Sequence, residues 1–156
     1  MKRRTGSTHR TLAFLLLLGM AAAPMTLAGH HEAGDVALGG YCPVAYAAMG
    51  KAVEGSSKFA SEYQGKTYHL ANAKAKKMFD AAPNSYTVAY DGWCAMAVAN
   101  GMKVESDPTI FVVRDGTTYL FSTDEAKATF TGDAAAVVKK ADKTWHTIAH
   151  KGHGHG

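Results

Sequence analysis

The two cysteines of this chain lie in two similar stretches, Gly40-Tyr41-Cys42-Pro43-Val44 and Gly92-Trp93-Cys94-Ala95-Met96. Each stretch has a glycine, an aromatic residue, the cysteine, a small or cyclic residue and an apolar residue, in that order. The similarity is short, and the sequence around it gives no sign of a long internal repeat. The segment between the stretches is therefore expected to be a scaffold that could bring Cys42 and Cys94 together.

Two pairs of strands are predicted between and after these stretches. Residues 57–63 and 66–70 flank Gln64-Gly65, and residues 110–113 and 118–121 flank Asp115-Gly116, which is a strong signal for a tight hairpin turn. We expect the two hairpins to contribute to one small antiparallel sheet. A further short strand is expected at 36–38.

Helices are predicted from capping residues and from apolar periodicity. Their predicted starts are Pro43, Ala73 after the cap Asn72, Ala95, the capping box Ser122-x-x-Glu125, and the residue after Asp133. The last helix should run to about Ile148. Helices and antiparallel hairpins without β-α-β alternation predict an α+β fold, a small antiparallel sheet built from two hairpins with flanking helices.

The first 28 residues have the layout of a secretory signal peptide. A basic segment ends at Arg10, and an apolar run from Leu12 to Ala23 is too short to span a bilayer as a stable helix. Cleavage is expected after Ala28, which leaves no membrane span. The predicted location is therefore periplasmic or secreted, where a disulfide can persist.

The net charge of +4 does not indicate a nucleic-acid partner. Lys2, Arg3, Arg4 and Arg10 supply the whole excess of 17 basic over 13 acidic side chains, and all four lie in the predicted signal peptide. Without a basic face, the electrostatic basis for binding nucleic acid disappears.

The rest of the chain divides into three predicted segments. Residues 29–34 form a polar start, residues 35–148 the globular domain, and residues 149–156 a tail of histidine, lysine and glycine. The tail has the low-complexity composition that is typical of a segment without a packed core.

Cys42 and Cys94 allow two interpretations from the residues alone. A disulfide between them would stabilise the fold by about 4 kcal/mol on a chain-entropy estimate. A thiolate pair would instead bind a soft ion such as Cu(I), with Met96 and His69 as auxiliary ligands; other soft or borderline transition metals remain open. A reversible pair could alternate between the two states. Two unrelated buried thiols are the third possibility.

The other methionines give no metal-binding pattern. Met49, Met78 and Met102 are widely spread along the chain. We interpret them as core packing, which is the usual role of this flexible side chain. Met96 is the exception because it lies beside Cys94.

Histidines at both ends are candidate secondary metal ligands. After cleavage at Ala28, His31 would be the third residue, and a free amine, two amide nitrogens and that imidazole can form a square-planar Cu(II) or Ni(II) site. At the other end, His146, His150, His153 and His155 would form a flexible set suited to capture.

Three segments resemble the YHS-domain family, and in particular its exported bacterial single-domain members. They are residues 38–46 (LGGYCPVAY), 63–72 (YQGKTYHLAN) and 92–99 (GWCAMAVA), and the resemblance extends over about 36–148. It implies a compact α+β domain in a TRASH-like metal-binding superfamily, often linked to copper.

Some positions depart from the family pattern. Cys94 matches the cysteine usual in the third motif, whereas Cys42 stands where the exported relatives commonly have aspartate. Ala71 and Ala75 stand where the cysteine-rich metal-sensing relatives have further cysteines, and Asn72 stands near the expected serine.

The sequence therefore predicts an exported metal-binding protein for copper capture, buffering or transfer through the cysteine pair. The alternative is a disulfide-stapled module that docks on another envelope protein and has no metal role. No Ser-His-Asp order, paired carboxylates or phosphate-binding loop indicates an enzyme.

Overall fold

Residues 35–149 of the computed structural model are described here, and they form five helices and two β-hairpins. In chain order the elements are α1 (Pro43–Met49), β1 (Ser56–Tyr63), β2 (Lys66–Leu70), α2 (Ala73–Ala81), α3 (Ala95–Ala99), β3 (Asp107–Arg114), β4 (Thr117–Phe121), α4 (Asp124–Gly132) and α5 (Ala134–Ile148). Short 3-10 turns at Ala37–Gly40, Pro83–Ser85 and Ala89–Gly92 connect them. The predicted α+β class with flanking helices is confirmed.

The two hairpins form two separate sheets. Strand β1 pairs with β2 and β3 pairs with β4, both antiparallel, and no strand joins one hairpin to the other within the described chain. The expected single sheet is therefore wrong, although both hairpins are present. Both turns place a non-glycine residue, Gln64 or Asp115, at positive φ ahead of a glycine, as the tight hairpin turn requires.

Side-chain oxygens begin three of the helices as the sequence predicts, with one shift. Asn72 accepts a hydrogen bond from the amide of Ala75 at 2.9 Å, and Asp133 accepts one from Ala136 at 3.2 Å. At α4 the cap is Thr123 rather than the expected Ser122, since the Thr123 hydroxyl accepts from the following turn. Each such cap is worth about 1 kcal/mol.

The chain repeats one supersecondary unit, contrary to the prediction of no long repeat. A 3-10 turn, a cysteine, a helix, a hairpin and a capped helix occur in this order in residues 36–81 and again in residues 88–132. We call these the first and the second unit. Both units begin with an isolated parallel bridge, from Val36 to Thr67 and from Val88 to Thr118. The expected strand at 36–38 is thus reduced to this bridge, because the chain turns at once.

The register of the two hairpins supports this equivalence. In the first unit Ala60 lies opposite His69, with a register shift before that pair. In the second unit Phe111 lies opposite Leu120, with a shift at the same place. Because the irregularity recurs at equivalent positions, the two hairpins have the same strand geometry and not merely the same turn.

Side chains from the first unit insert into the hairpin of the second. The Tyr46 hydroxyl donates a hydrogen bond to the Pro108 carbonyl at 2.7 Å, and its ring lies 4.8 Å from that of Phe111. In return, Leu120 belongs to the buried cluster of the first unit. Burial of Tyr46 raises the pKa of its hydroxyl, so the group stays a neutral donor.

Two buried clusters make up the core, one centred on each unit. The first contains Cys42, Tyr46 and Phe79, and the second contains Cys94 and Phe130. Helix α5 has no counterpart in the first unit. It adds Ala134, Ala141 and Ile148 to the second cluster.

No helix within residues 35–149 is long and apolar enough to cross a membrane.

Candidate functional site

An identical backbone turn leads into each cysteine. Leu38 and Gly39 have φ values of 58° and 57°, and Tyr90 and Asp91 have values of 55° and 56°. Three of these four residues are not glycine, so the left-handed conformation is held at a local energetic cost by the surrounding packing. The similar glycine-aromatic-cysteine stretches are therefore one structural motif used twice.

The backbone of each cysteine is then fixed by an equivalent hydrogen bond. The Cys42 amide donates to the Val53 carbonyl at 2.8 Å, and the Cys94 amide donates to the Val104 carbonyl at 3.0 Å. In both cases the cysteine is the residue before a helix, and its side chain makes no capping hydrogen bond. The thiol is therefore not used as a helix cap, and its environment depends on the side chains that each unit packs around it.

In the first unit Cys42 is one of the residues that line a groove. The groove has a volume of about 290 Å³ and lies between α1 and the start of α2. Its lining is mostly apolar and includes two further sulfur-containing side chains, Met49 and Met78, with Lys74 at the edge. Pockets for small-molecule ligands have volumes of about 300–1,000 Å³, so this groove is at the lower end of that range.

In the second unit the thiol of Cys94 has a different environment. It accepts a hydrogen bond from the Ser122 hydroxyl at 3.4 Å and lies within the second buried cluster. At the position equivalent to Ser122, the first unit has Ala71, which lines the groove beside Cys42 and has no hydroxyl to donate. The two thiols therefore share a backbone motif but not a chemical environment.

The two cysteines are both buried and both recorded as free thiols. They belong to different buried clusters, and the ligand pair expected from the sequence stays a prediction. A disulfide requires Cα atoms about 4.4–6.8 Å apart. The disulfide between Cys42 and Cys94 stays a prediction.

The predicted auxiliary ligands lie away from the groove. His69 is half-buried on β2 beside the first turn, where a side chain on Gly40 would place its Cβ 3.5 Å from Nδ1 of the histidine. Met96 is half-buried against the second cluster. Neither residue lines the groove at Cys42.

The histidines of the termini fall mostly outside the described residues. His146 is exposed on α5. His31, His150, His153 and His155 lie outside the range 35–149, so the secondary sites remain predictions.

The interpretation of the other methionines as core residues is wrong for two of them. Met49 is 55% exposed and Met102 is 53% exposed. Met78 is half-buried and packs against the first cluster, as expected, but it also lines the groove. Sequence reasoning missed Met49 and Met78 as groove residues because α1 and α2 come together only in the fold.

Nitrogen and oxygen ligands are not gathered in this part of the chain. Within residues 35–149, no group of three or more His, Cys, Asp or Glu side chains is placed to hold a metal ion. Methionine is not one of these four residue types, so this absence does not bear on the groove lined by Met49 and Met78.

The chain matches no protein-family model, no curated protein and no solved structure.

Proposed function

We propose that this chain is an exported metal-binding protein of the YHS type that captures, buffers or transfers copper through Cys42. The signal-peptide layout of residues 1–28 supports export. The segments 38–46, 63–72 and 92–99 support the family resemblance.

The proposal rests mainly on the difference between the environments of the two cysteines. Both cysteines are almost fully buried, at 0% and 2% exposure. Cys42 is one of the residues that line a groove between α1 and α2, whereas the Cys94 thiol already has a hydrogen-bond donor in Ser122. We therefore assign the metal to Cys42 and give Cys94 a packing role.

The chemistry of the groove favours a soft ion. Thiolate is the preferred ligand of Cu(I), and an apolar lining excludes the water that hard cations keep around them. Coordination releases the thiol proton to solvent, so metal binding strengthens as pH rises. Residue Cys42 itself is fully buried from bulk water, so the metal would reach it through the groove.

The terminal histidines complement this site in the proposal. His31 precedes the globular domain in sequence, and His146 lies on its last helix. His150, His153 and His155 follow the domain. A short histidine-rich tract is a candidate metal-binding segment. Their role would be capture, with delivery to the sulfur of the domain.

A titration of Cu(I) against a competing chelator tests the proposal. The full chain is compared with Cys42→Ala and with the matched control Cys94→Ala, all under reductant. Loss of the only thiolate in the groove should weaken binding by more than about 100-fold, which exceeds the usual effect of changes in the second shell of a metal site. The control should retain the affinity of the unmodified chain.

Two results would contradict the proposal. One is equal Cu(I) affinity for the unmodified chain and Cys42→Ala. The other is a stoichiometric disulfide, found by intact mass with and without reductant, together with no tight Cu(I) site in either redox form. The second result would support the docking module instead.

A further inference from the structure

The groove at Cys42 contains three sulfur-bearing side chains from two helices. Cys42 precedes α1, Met49 is its last residue, and Met78 lies on α2. We propose that Met49 and Met78 join Cys42 in a three-sulfur site that takes a monovalent d¹⁰ ion, Cu(I) or Ag(I), in preference to Zn(II). This inference rests on the proposed function and names the ligands and the ion class of the same site.

The helix geometry allows Met49 to reach toward Cys42. Cys42 is the residue before α1 and Met49 is its last residue, so the length of the helix separates them, about 10 Å along its axis. Side chains of a helix lean toward its N-terminus, which directs the long Met49 side chain back along the groove. Met78 enters from α2, which packs against α1.

The charge of the groove favours a monovalent ion. One thiolate and two neutral thioethers carry a single negative charge, which a monovalent ion neutralises. A divalent ion would leave an uncompensated positive charge in an apolar groove whose lining also includes the basic residue Lys74. Asn72 brings the only side-chain oxygen of the lining, and it already accepts the capping hydrogen bond of α2.

The types of ligand atom in the groove also favour a soft monovalent ion over Zn(II). Zn(II) sites are usually tetrahedral, with thiolate, imidazole or carboxylate ligands. Thioether sulfur instead selects soft ions such as Cu(I). Within residues 35–149 no cluster of three such zinc ligands exists to compete.

The second unit lacks this set of sulfur atoms. Helix α3 ends at Ala99, and Gly101 stands as far beyond Cys94 as Met49 stands beyond Cys42. Thr129 occupies the position on α4 that Met78 occupies on α2. The three sulfurs are therefore specific to the first unit, and Met96 in the second unit is a natural control.

The test uses the full chain with ¹³C-labelled methionine methyl groups and Ag(I) as a redox-stable probe. The methyl resonances of Met49 and Met78 should shift on addition of one equivalent of Ag(I), while that of Met96 should not. In a parallel competition assay, Met49→Leu and Met78→Leu should each weaken Cu(I) binding by about tenfold, a loss of about 1.4 kcal/mol. Met96→Leu should bind as the unmodified chain does.

Leucine is chosen because it nearly conserves volume, so the fold should survive and thermal unfolding can verify it. The inference is overturned if Cys42→Ala abolishes binding while Met49→Leu and Met78→Leu leave it unchanged; the proposed function would then stand. It is also overturned if Zn(II) displaces Ag(I) at equal concentration. Equal affinity for the unmodified chain and Cys42→Ala would overturn the proposed function itself.

Discussion

The two units of this chain have the same backbone but different uses for their cysteine. In the first unit Cys42 borders a groove lined by Met49 and Met78. In the second unit Cys94 is hydrogen-bonded to Ser122 in a packed cluster. The shared turn and hydrogen bond therefore fix the backbone position of each cysteine but not the environment of its thiol. What the thiol can do depends on the side chains that the next helices bring to it.

Helix α5 accounts for much of this difference. It packs against α3 and supplies the buried residues Ala134, Ala141 and Ile148 to the second cluster. The first unit is followed instead by the 3-10 turn Pro83–Ser85, and no sixth helix exists within residues 35–149 to play the same part. The second unit is thus the more enclosed of the two.

The largest expected effect comes from deleting the equivalent phenylalanines of the two cores. Phe79→Ala and Phe130→Ala should each lower the free energy of unfolding by about 3–5 kcal/mol, because each leaves a cavity in a packed cluster. Phe130 packs against two aromatic rings, at 5.1 Å from Tyr119 and at 4.9 Å from Phe121. Urea unfolding followed by circular dichroism measures both costs.

The half-buried Phe59 serves as the control, since its replacement by alanine should cost less. A single unfolding transition is expected for all variants because Tyr46 and Leu120 tie the two units together. Separate transitions for the two units would show that Tyr46 and Leu120 do not couple their unfolding.

Exchanging the residues beside the two thiols should sharpen the comparison at the site. Ala71→Ser places a hydroxyl next to Cys42, where it would occupy part of the groove and hydrogen-bond the sulfur. We expect a drop in Ag(I) affinity of about threefold to tenfold, which corresponds to about 0.7–1.4 kcal/mol. Competition with a chelator measures it.

The reverse change, Ser122→Ala, should cost about 0.5–1.5 kcal/mol of stability through the lost hydrogen bond. It should not create a second metal site, since the second unit lacks the methionines of the first. A second tight equivalent of Ag(I) in this variant would contradict the assignment.

The smallest expected effect concerns an ion pair found only in the first unit. Asp80 accepts a hydrogen bond from Ser61 at 2.5 Å and pairs with Lys76 at 2.9 Å. These contacts, first that from Ser61 and then that from Lys76, lower the pKa of Asp80 below its ordinary value of 3.8. At the position equivalent to Ser61, the second unit has Val112.

The pKa of Asp80 is lower in the folded state than its ordinary value. The carboxylate therefore contributes fully to the free energy of unfolding above about pH 3.8, and this contribution is lost as pH falls through the lower folded-state pKa. The side chain is exposed, so Asp80→Asn should cost no more than about 1 kcal/mol at pH 7. The cost should disappear at low pH, as urea midpoints at pH 7 and pH 2 would report. A cost that persists in acid would show that charge is not its cause.

The local elements were predictable because their signals are local. Strand β2 and helix α2 have the predicted bounds, since Gln64-Gly65 and Asn72 act on adjacent residues. The cap of α4 was off by one residue because both Ser122 and Thr123 can cap a helix. The structure assigns Thr123 to the cap, and Ser122 donates to Cys94 instead.

The repeated unit could not be recognised from the short similarity of two five-residue stretches. Equivalent positions share backbone conformation more than residue type: Leu38 and Tyr90 have the same positive φ, and His69 and Leu120 have the same place in a hairpin. A comparison of the whole segments 36–81 and 88–132 could have found it, because Val36, Gly40 and Phe79 recur as Val88, Gly92 and Phe130.

The helices, the hairpins and the similar surroundings of the two cysteines in the chain could be read from the sequence, because turns, caps and periodicity depend on near neighbours. The side chains that surround each thiol follow from the packing of the whole fold. Met49 and Met78 come to Cys42, and Ser122 comes to Cys94, through the packing of helices that are distant in sequence. The ligands of a site are set by such packing, which no local pattern records.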